Sequence, residues 1–204
     1  MRITGDTLII PRLKAYASPI SLLEQARQAA LPKRTAPFNE EPGFHEPANL
    51  WLYGNAKLLC GELAFLDGAL GQPDQYPAEL DELEKQAEEF ILDGKVLVCG
   101  LHNAAQMRTA LIPLRWGAPR IVVMSGGFRY HLGKDLKDEP FRAARLWRYQ
   151  WDATTDLAIS RRGPEKLPTY ASYNPTVDKM IAKIASAQWP GLRWIDKDII
   201  RVLA

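Results

Sequence analysis

Four short apolar runs punctuate the middle of the chain, at Glu62 to Leu66, Lys95 to Cys99, Arg120 to Met124 and Asp156 to Ser160. Each is a continuous apolar stretch, the pattern of a strand covered on both faces. Between them lie amphipathic segments of helical length at Pro77 to Leu92, Asn103 to Trp116 and Glu139 to Trp151, and a further one follows at Pro175 to Ala187. Alternation of this kind predicts β-α-β units and a Rossmann-like α/β fold: a doubly wound, mainly parallel sheet in three layers. In the first segment Leu80, Leu83, Ala87, Phe90 and Ile91 form one apolar stripe, with Pro77 at its start and Gly94 just past its end.

Upstream, Leu8-Ile9-Ile10 is a short apolar run and Ser21 to Ala30 has helical periodicity. Pro32, Pro37, Pro42 and Pro47 then recur too closely for a regular element, which predicts an N-terminal arm over 1–48 ahead of a Rossmann-like domain over 49–204. No run of about 18 apolar residues occurs and the start lacks a signal-peptide layout, so a cytoplasmic protein without a membrane partner is expected. Cys60 and Cys99 are too few for a metal site and suit a reducing compartment. His45 and His131 have no neighbours at metal-ligand spacing, so neither metal nor cofactor is expected.

Charge alters the picture more than composition does. The formal net charge is only +2, yet residues 1–94 carry −7 and residues 95–204 carry +9. A basic half suits a polyanionic ligand, although basic residues spread over solvated helix faces give the same count.

In an open α/β sheet the ligand sits beyond the carboxyl ends of the strands. Three turns there contain glycine: Asp67-Gly68-Ala69-Leu70-Gly71, Cys99-Gly100-Leu101-His102-Asn103 and Ser125-Gly126-Gly127-Phe128. Glycine lets backbone amides approach an anion, and a helix start behind the turn adds unpaired N–H groups. Candidate phosphate contacts are therefore Gly68, Gly71, Gly100, His102, Asn103, Ser125, Gly126 and Gly127. A tight turn alone also explains the glycines, and Asn103 has a ready role as a helix cap. In FRAARLWRYQW the spacing of Arg142, Arg145 and Arg148 suits a row of phosphates, and Phe141, Trp147, Tyr149 and Trp151 offer stacking surfaces. The same aromatics also fit a core role, as do Trp116, Trp189 and Trp194. Nucleophile elbows, phosphate-loop lysines and paired carboxylates are absent, so no enzyme is expected.

The order LWLYGNAKLL, GALGQPDQYPAE, DGKVLVCGL, AAQMRTAL, WGAPRIVVMSGG and DKMIAKIA, from Leu50 to Ala185, resembles the DNA-processing family DprA, also called Smf. The resemblance implies a Rossmann-like domain that binds single-stranded DNA in a positively charged pocket, assists a RecA-type recombinase in DNA uptake and recombination, and forms a homodimer. It maps the family's binding turns onto Gly68 to Leu70, Cys99 to Asn103 and Ser125 to Phe128, with a further basic segment at Val177 to Lys179. The family's arginine in the first turn is Leu70 here, the second turn is shorter and lacks its arginine, and the basic segment contains Asp178. Arg108, Arg129, Lys134, Lys179 and the Arg142/Arg145/Arg148 stripe are the expected replacements. The alternative is a nucleotide-binding sensor of the same superfamily. Its phosphoribohydrolase motif is represented only by Ser125-Gly126-Gly127, without the following Thr and Glu, and a protein-docking scaffold is the third possibility.

Overall fold

The computed structural model describes residues 39–71, 76–169 and 171–192. The Leu8 to Ile10 run, the Ser21 to Ala30 segment and Trp194 lie outside the described residues. Among the described residues six strands form one sheet: β1 (Asn39–His45), β2 (Leu50–Gly54), β3 (Leu63–Ala64), β4 (Val96–Cys99), β5 (Arg120–Met124) and β6 (Leu157–Ser160), in the order β1-β2-β6-β5-β4-β3. The strands β3 to β6 run parallel, stepping across the sheet in one direction, and β2 and β1 complete it antiparallel. The described helices are α1 (Pro77–Leu92), α2 (Ala104–Thr109), α3 (Ile112–Trp116), α4 (Phe128–His131), α5 (Arg142–Leu146) and α6 (Pro175–Ala185).

The apolar strands serve two cores because successive side chains point to opposite faces. Leu97, Cys99, Val122, Met124 and Ala158 pack with Leu83, Ala87 and Ile91 of α1, with Ile112 of α3 and with Phe128. On the other face Val96, Val98, Ile121, Val123, Leu157 and Ile159 pack with Val177, Met180, Ile181 and Ile184 of α6. Helix, sheet and helix make the three layers, a Rossmann-like α/β arrangement.

The ends of α1 fall where the stripe predicts them, and Gly94 follows at φ +79°. The segment from Asn103 to Trp116 instead splits into α2 and α3. Pro113 lacks the N–H that a continuous helix needs at that point. Between Glu139 and Trp151 only Arg142–Leu146 is helical, and Asp138 and Gln150 form an isolated antiparallel bridge. The last helix ends at Ala185, and β3 holds two residues where five were expected. Part of the proline-rich stretch is extended as expected, but Asn39–His45 pairs with β2 as the sheet's edge strand, with a register break between Asn39 and Gly43. Proline is tolerated on an edge strand.

A charged cluster of Arg120, Glu139 and Asp156 is buried against the first core. Arg120 is fully buried, with Nη2 donating to both Glu139 oxygens at 2.8 and 2.7 Å, Nε to Asp156 at 3.1 Å, and Nη1 to the Ala110 carbonyl at 3.0 Å. Phe141 and Trp151 flank its guanidinium at 5.2 and 5.7 Å from the ring centroids. Two of the aromatics in FRAARLWRYQW are therefore core, as the competing interpretation held. Trp116 and Trp189 are part-buried, donating to Glu88 and to the Ala48 carbonyl, each at 2.9 Å.

Candidate binding edge

The first two glycine turns meet at the carboxyl ends of β3 and β4, but their polar groups are spent on one another. Gln106 Oε1 accepts from the Gly100 amide at 2.8 Å, and the Ala69 carbonyl accepts from Asn103 Nδ2 at 3.0 Å and Gln106 Nε2 at 3.2 Å. Asn103 Oδ1 caps α2 by accepting from the Gln106 amide at 2.8 Å. Across this pair of turns lies Asp178, from the first turn of α6. Its carboxylate accepts from the Gly71 amide at 3.1 Å and meets His102 Nε2 at 2.9 Å. A carboxylate of the chain itself thus stands where a phosphate was expected.

Burial pulls the pKa of His102 below its ordinary value, against the opposing pull of Asp178. The imidazole is accordingly neutral at pH 7, and Nε2–H donates to Asp178. Its Nδ1 is buried without a hydrogen-bond partner, and a Cβ added at Gly100 would stand 2.9 Å from it. Gly71, Gly100, His102 and Asn103 come together as expected, yet as an internal network and not as free donors. Gly68, exposed, sits beside this network, with Leu83 3.2 Å from where its Cβ would be.

The third turn is also closed, in this case by backbone. The segment after β6 folds over it, so that the Gly127 amide donates to the Lys166 carbonyl at 2.7 Å and the Arg129 amide to the Pro164 carbonyl at 3.2 Å. A Cβ at Gly127 would lie 2.1 Å from the Pro164 oxygen, and one at Gly126 would lie 2.5 Å from Pro168 Cα. These glycines admit a close crossing of the chain. The expectation that their amides face an open mouth is corrected accordingly. From that turn, Ser125 remains at the edge.

Two adjoining clefts open beside these closed turns, and both are lined by Ser125, Thr169 and Ala171. The larger, about 620 Å³, has an apolar floor that includes Leu101, Leu111, Pro140 and Phe141, and its lining includes Arg108, Arg142 and Arg145. The smaller, about 320 Å³, lies between the ends of β5 and β6 and the start of α6; its lining includes Arg161, Arg162 and Thr176. Neither lining contains an Asp or Glu among the described residues. His131 lines the larger cleft, and burial lowers its pKa to about 4, which keeps the ring neutral near pH 7.

The expected cations divide into groups. Arg142 and Arg145 are exposed and border the larger cleft with Arg108. Arg108 is already engaged, through Nε to Glu84 at 2.5 Å and Nη2 to Asp81 at 2.8 Å. Arg129 pairs with Glu165 at 2.8 Å. Lys134, Arg148 and Lys179 are exposed but line neither cleft. Arg148 stands past the end of α5 at φ +62°, so the stripe stops after Arg145. Trp147 and Tyr149 are exposed, with the Arg115 guanidinium 5.7 Å from the Trp147 ring.

Arg161 and Arg162 are not among the residues expected from the sequence, because the strand they follow is not succeeded by a glycine-first turn. Their position directly after the fourth apolar run was the available signal. Among the described residues no three His, Cys, Asp or Glu side chains gather as metal ligands, and no helix is long and apolar enough to cross a membrane.

No family model matches the chain, and no curated protein matches it in sequence. Among solved structures it is similar to DNA processing protein A from Helicobacter pylori, a single-stranded DNA binding protein, at 18% identity and a TM-score of 0.43. The match covers 60% of this chain and 51% of the other, so this chain spans about half the length of that relative.

Proposed function

We propose that this protein binds a single-stranded nucleic acid, DNA in the first instance, along the edge formed by the two clefts. The observation that carries this reading is the pair of adjoining clefts whose described lining residues include five arginines and no Asp or Glu. Cations placed around an apolar floor suit a flexible strand, whose phosphates meet guanidinium groups while an unstacked base covers apolar surface. A duplex keeps its bases stacked and has no use for such a floor. The activity proposed is binding and not catalysis.

Fluorescence anisotropy with labelled oligo-dT at low salt tests this directly. Binding that unlabelled single strands compete away better than duplex of equal length is the expected result. It should weaken when Arg142 and Arg145 are both replaced by Ala. Failure of oligo-dT to bind at low salt, or equal binding of the double variant, would refute the assignment.

A further inference from the structure

We infer that the smaller cleft seats a phosphate monoester, the doubly charged group found at the end of a nucleic-acid strand or on a free mononucleotide. This deepens the binding proposed above and rests on it for the strand itself. Arg161 and Arg162 leave β6 in succession and both line the cleft. Their backbone is fixed: the Arg162 amide donates to Ser160 Oγ at 3.0 Å, and that hydroxyl donates to the Gly126 carbonyl at 2.9 Å. Arg162 Nη1 is further held by the Leu167 carbonyl at 2.7 Å.

The Arg161 side chain makes no hydrogen bond or ion pair with another described residue. Ser125, Thr169 and Thr176 add hydroxyl groups to the lining, and Thr176 sits in the first turn of the 11-residue helix α6. A seat fixed before the ligand arrives loses little freedom on binding. Two guanidinium charges in a cleft with no Asp or Glu among its described lining residues match a monoester, which carries about −1.5 to −2 near pH 7, better than the single charge of an internal phosphodiester. Arg142 and Arg145, across the shared Ser125 and Thr169, remain for the internal phosphates.

The test compares ten-residue oligo-dT bearing a 5′-phosphate, a 3′-phosphate or neither, with thymidine monophosphate and thymidine as free competitors. The wild-type chain should prefer one phosphorylated end by about tenfold or more, the scale of a charge-assisted hydrogen bond. Arg161→Ala should erase that ratio, whatever its affinity for the unphosphorylated strand. Competition by the monophosphate but not by thymidine identifies the free mononucleotide as a second source of the same group; competition by neither assigns the seat to strand ends. If all three strands bind alike and the monophosphate does not compete, the monoester seat is refuted while strand binding stands. If no strand binds but the monophosphate does so through Arg161, strand binding is refuted and the seat stands. If nothing binds, both are refuted.

Discussion

Salt is the sharpest probe of the proposed edge, because the structure says which arginines have charge to give. Five described arginines line the clefts, but Asp81 and Glu84 already hold Arg108. That leaves Arg142, Arg145, Arg161 and Arg162 to meet phosphates. Each phosphate charge neutralised on a single strand contributes about 0.7 to the slope of log affinity against log salt, so a slope of about −2.8 is expected for a strand whose terminal phosphate occupies the smaller cleft. Affinity should then fall about fiftyfold between about 50 and 200 mM salt. Replacing Arg142 and Arg145 with Ala should reduce the slope to about −1.4, whereas Arg108→Ala should leave it near the parent value. Both substituted arginines are exposed, so stability should change by no more than about 0.5 kcal/mol. Anisotropy titrations at four salt concentrations measure all three slopes. A parent slope near zero, or an Arg108 variant that loses as much slope as the double variant, would show that these clefts do not carry the strand.

Three further outcomes follow from the core and the closed turns. Arg120→Met should cost about 3–5 kcal/mol in urea unfolding, because Glu139 and Asp156 would be left buried without their cation; a loss below about 1 kcal/mol would contradict the buried-pair account. Burial raises Asp156 to about 6 and lowers His131 to about 4, which gives their pH effects opposite signs. The folded state favours the protonated Asp156 acid, so its contribution is full below about pH 4 and is lost as pH rises through about 6. The folded state favours neutral His131, so its contribution is present above about 6.5 and is lost as pH falls toward about 4. The two effects oppose each other over the same window, so Asp156→Asn should leave stability rising with pH between about 4 and 6.5 and His131→Gln should leave it falling there, read as urea midpoints; identical pH profiles for the two variants would refute both assignments. Gly127→Ala, whose methyl would meet the Pro164 carbonyl, should displace the crossing segment and expose the bond after Lys166 to trypsin. Unchanged proteolysis would mean that the close crossing is not needed.

Local pattern revealed the elements whose roles are local. The runs that became β4, β5 and β6 are buried on both faces and read as unbroken apolar stretches, and the stripe of α1 has its punctuation at both ends. The segment around Phe141 and Trp151 misled because its apolar spacing answers to Arg120, a cation about twenty to thirty residues earlier in the chain, and not to a helix axis. β1 was hidden by prolines that an edge strand accepts. At the binding edge, the basic stripe was visible as far as Arg145. The closing of the turns was not, since Asp178 reaches Gly71 across 107 residues and His102 across 76. No short-range spacing encodes a partnership of that length.

The tether from Asp178 to the first two turns also gives the sheet's rim a handedness. A visitor with negative charge is repelled where that carboxylate sits, beside the Gly71 and His102 turns, and finds the guanidinium groups of the two clefts further along. Entry is therefore expected from the α5 side, with travel toward the start of α6. The half of the rim that looks most like a phosphate cradle is in this molecule a fastening, holding α6 in place beside the half proposed to receive.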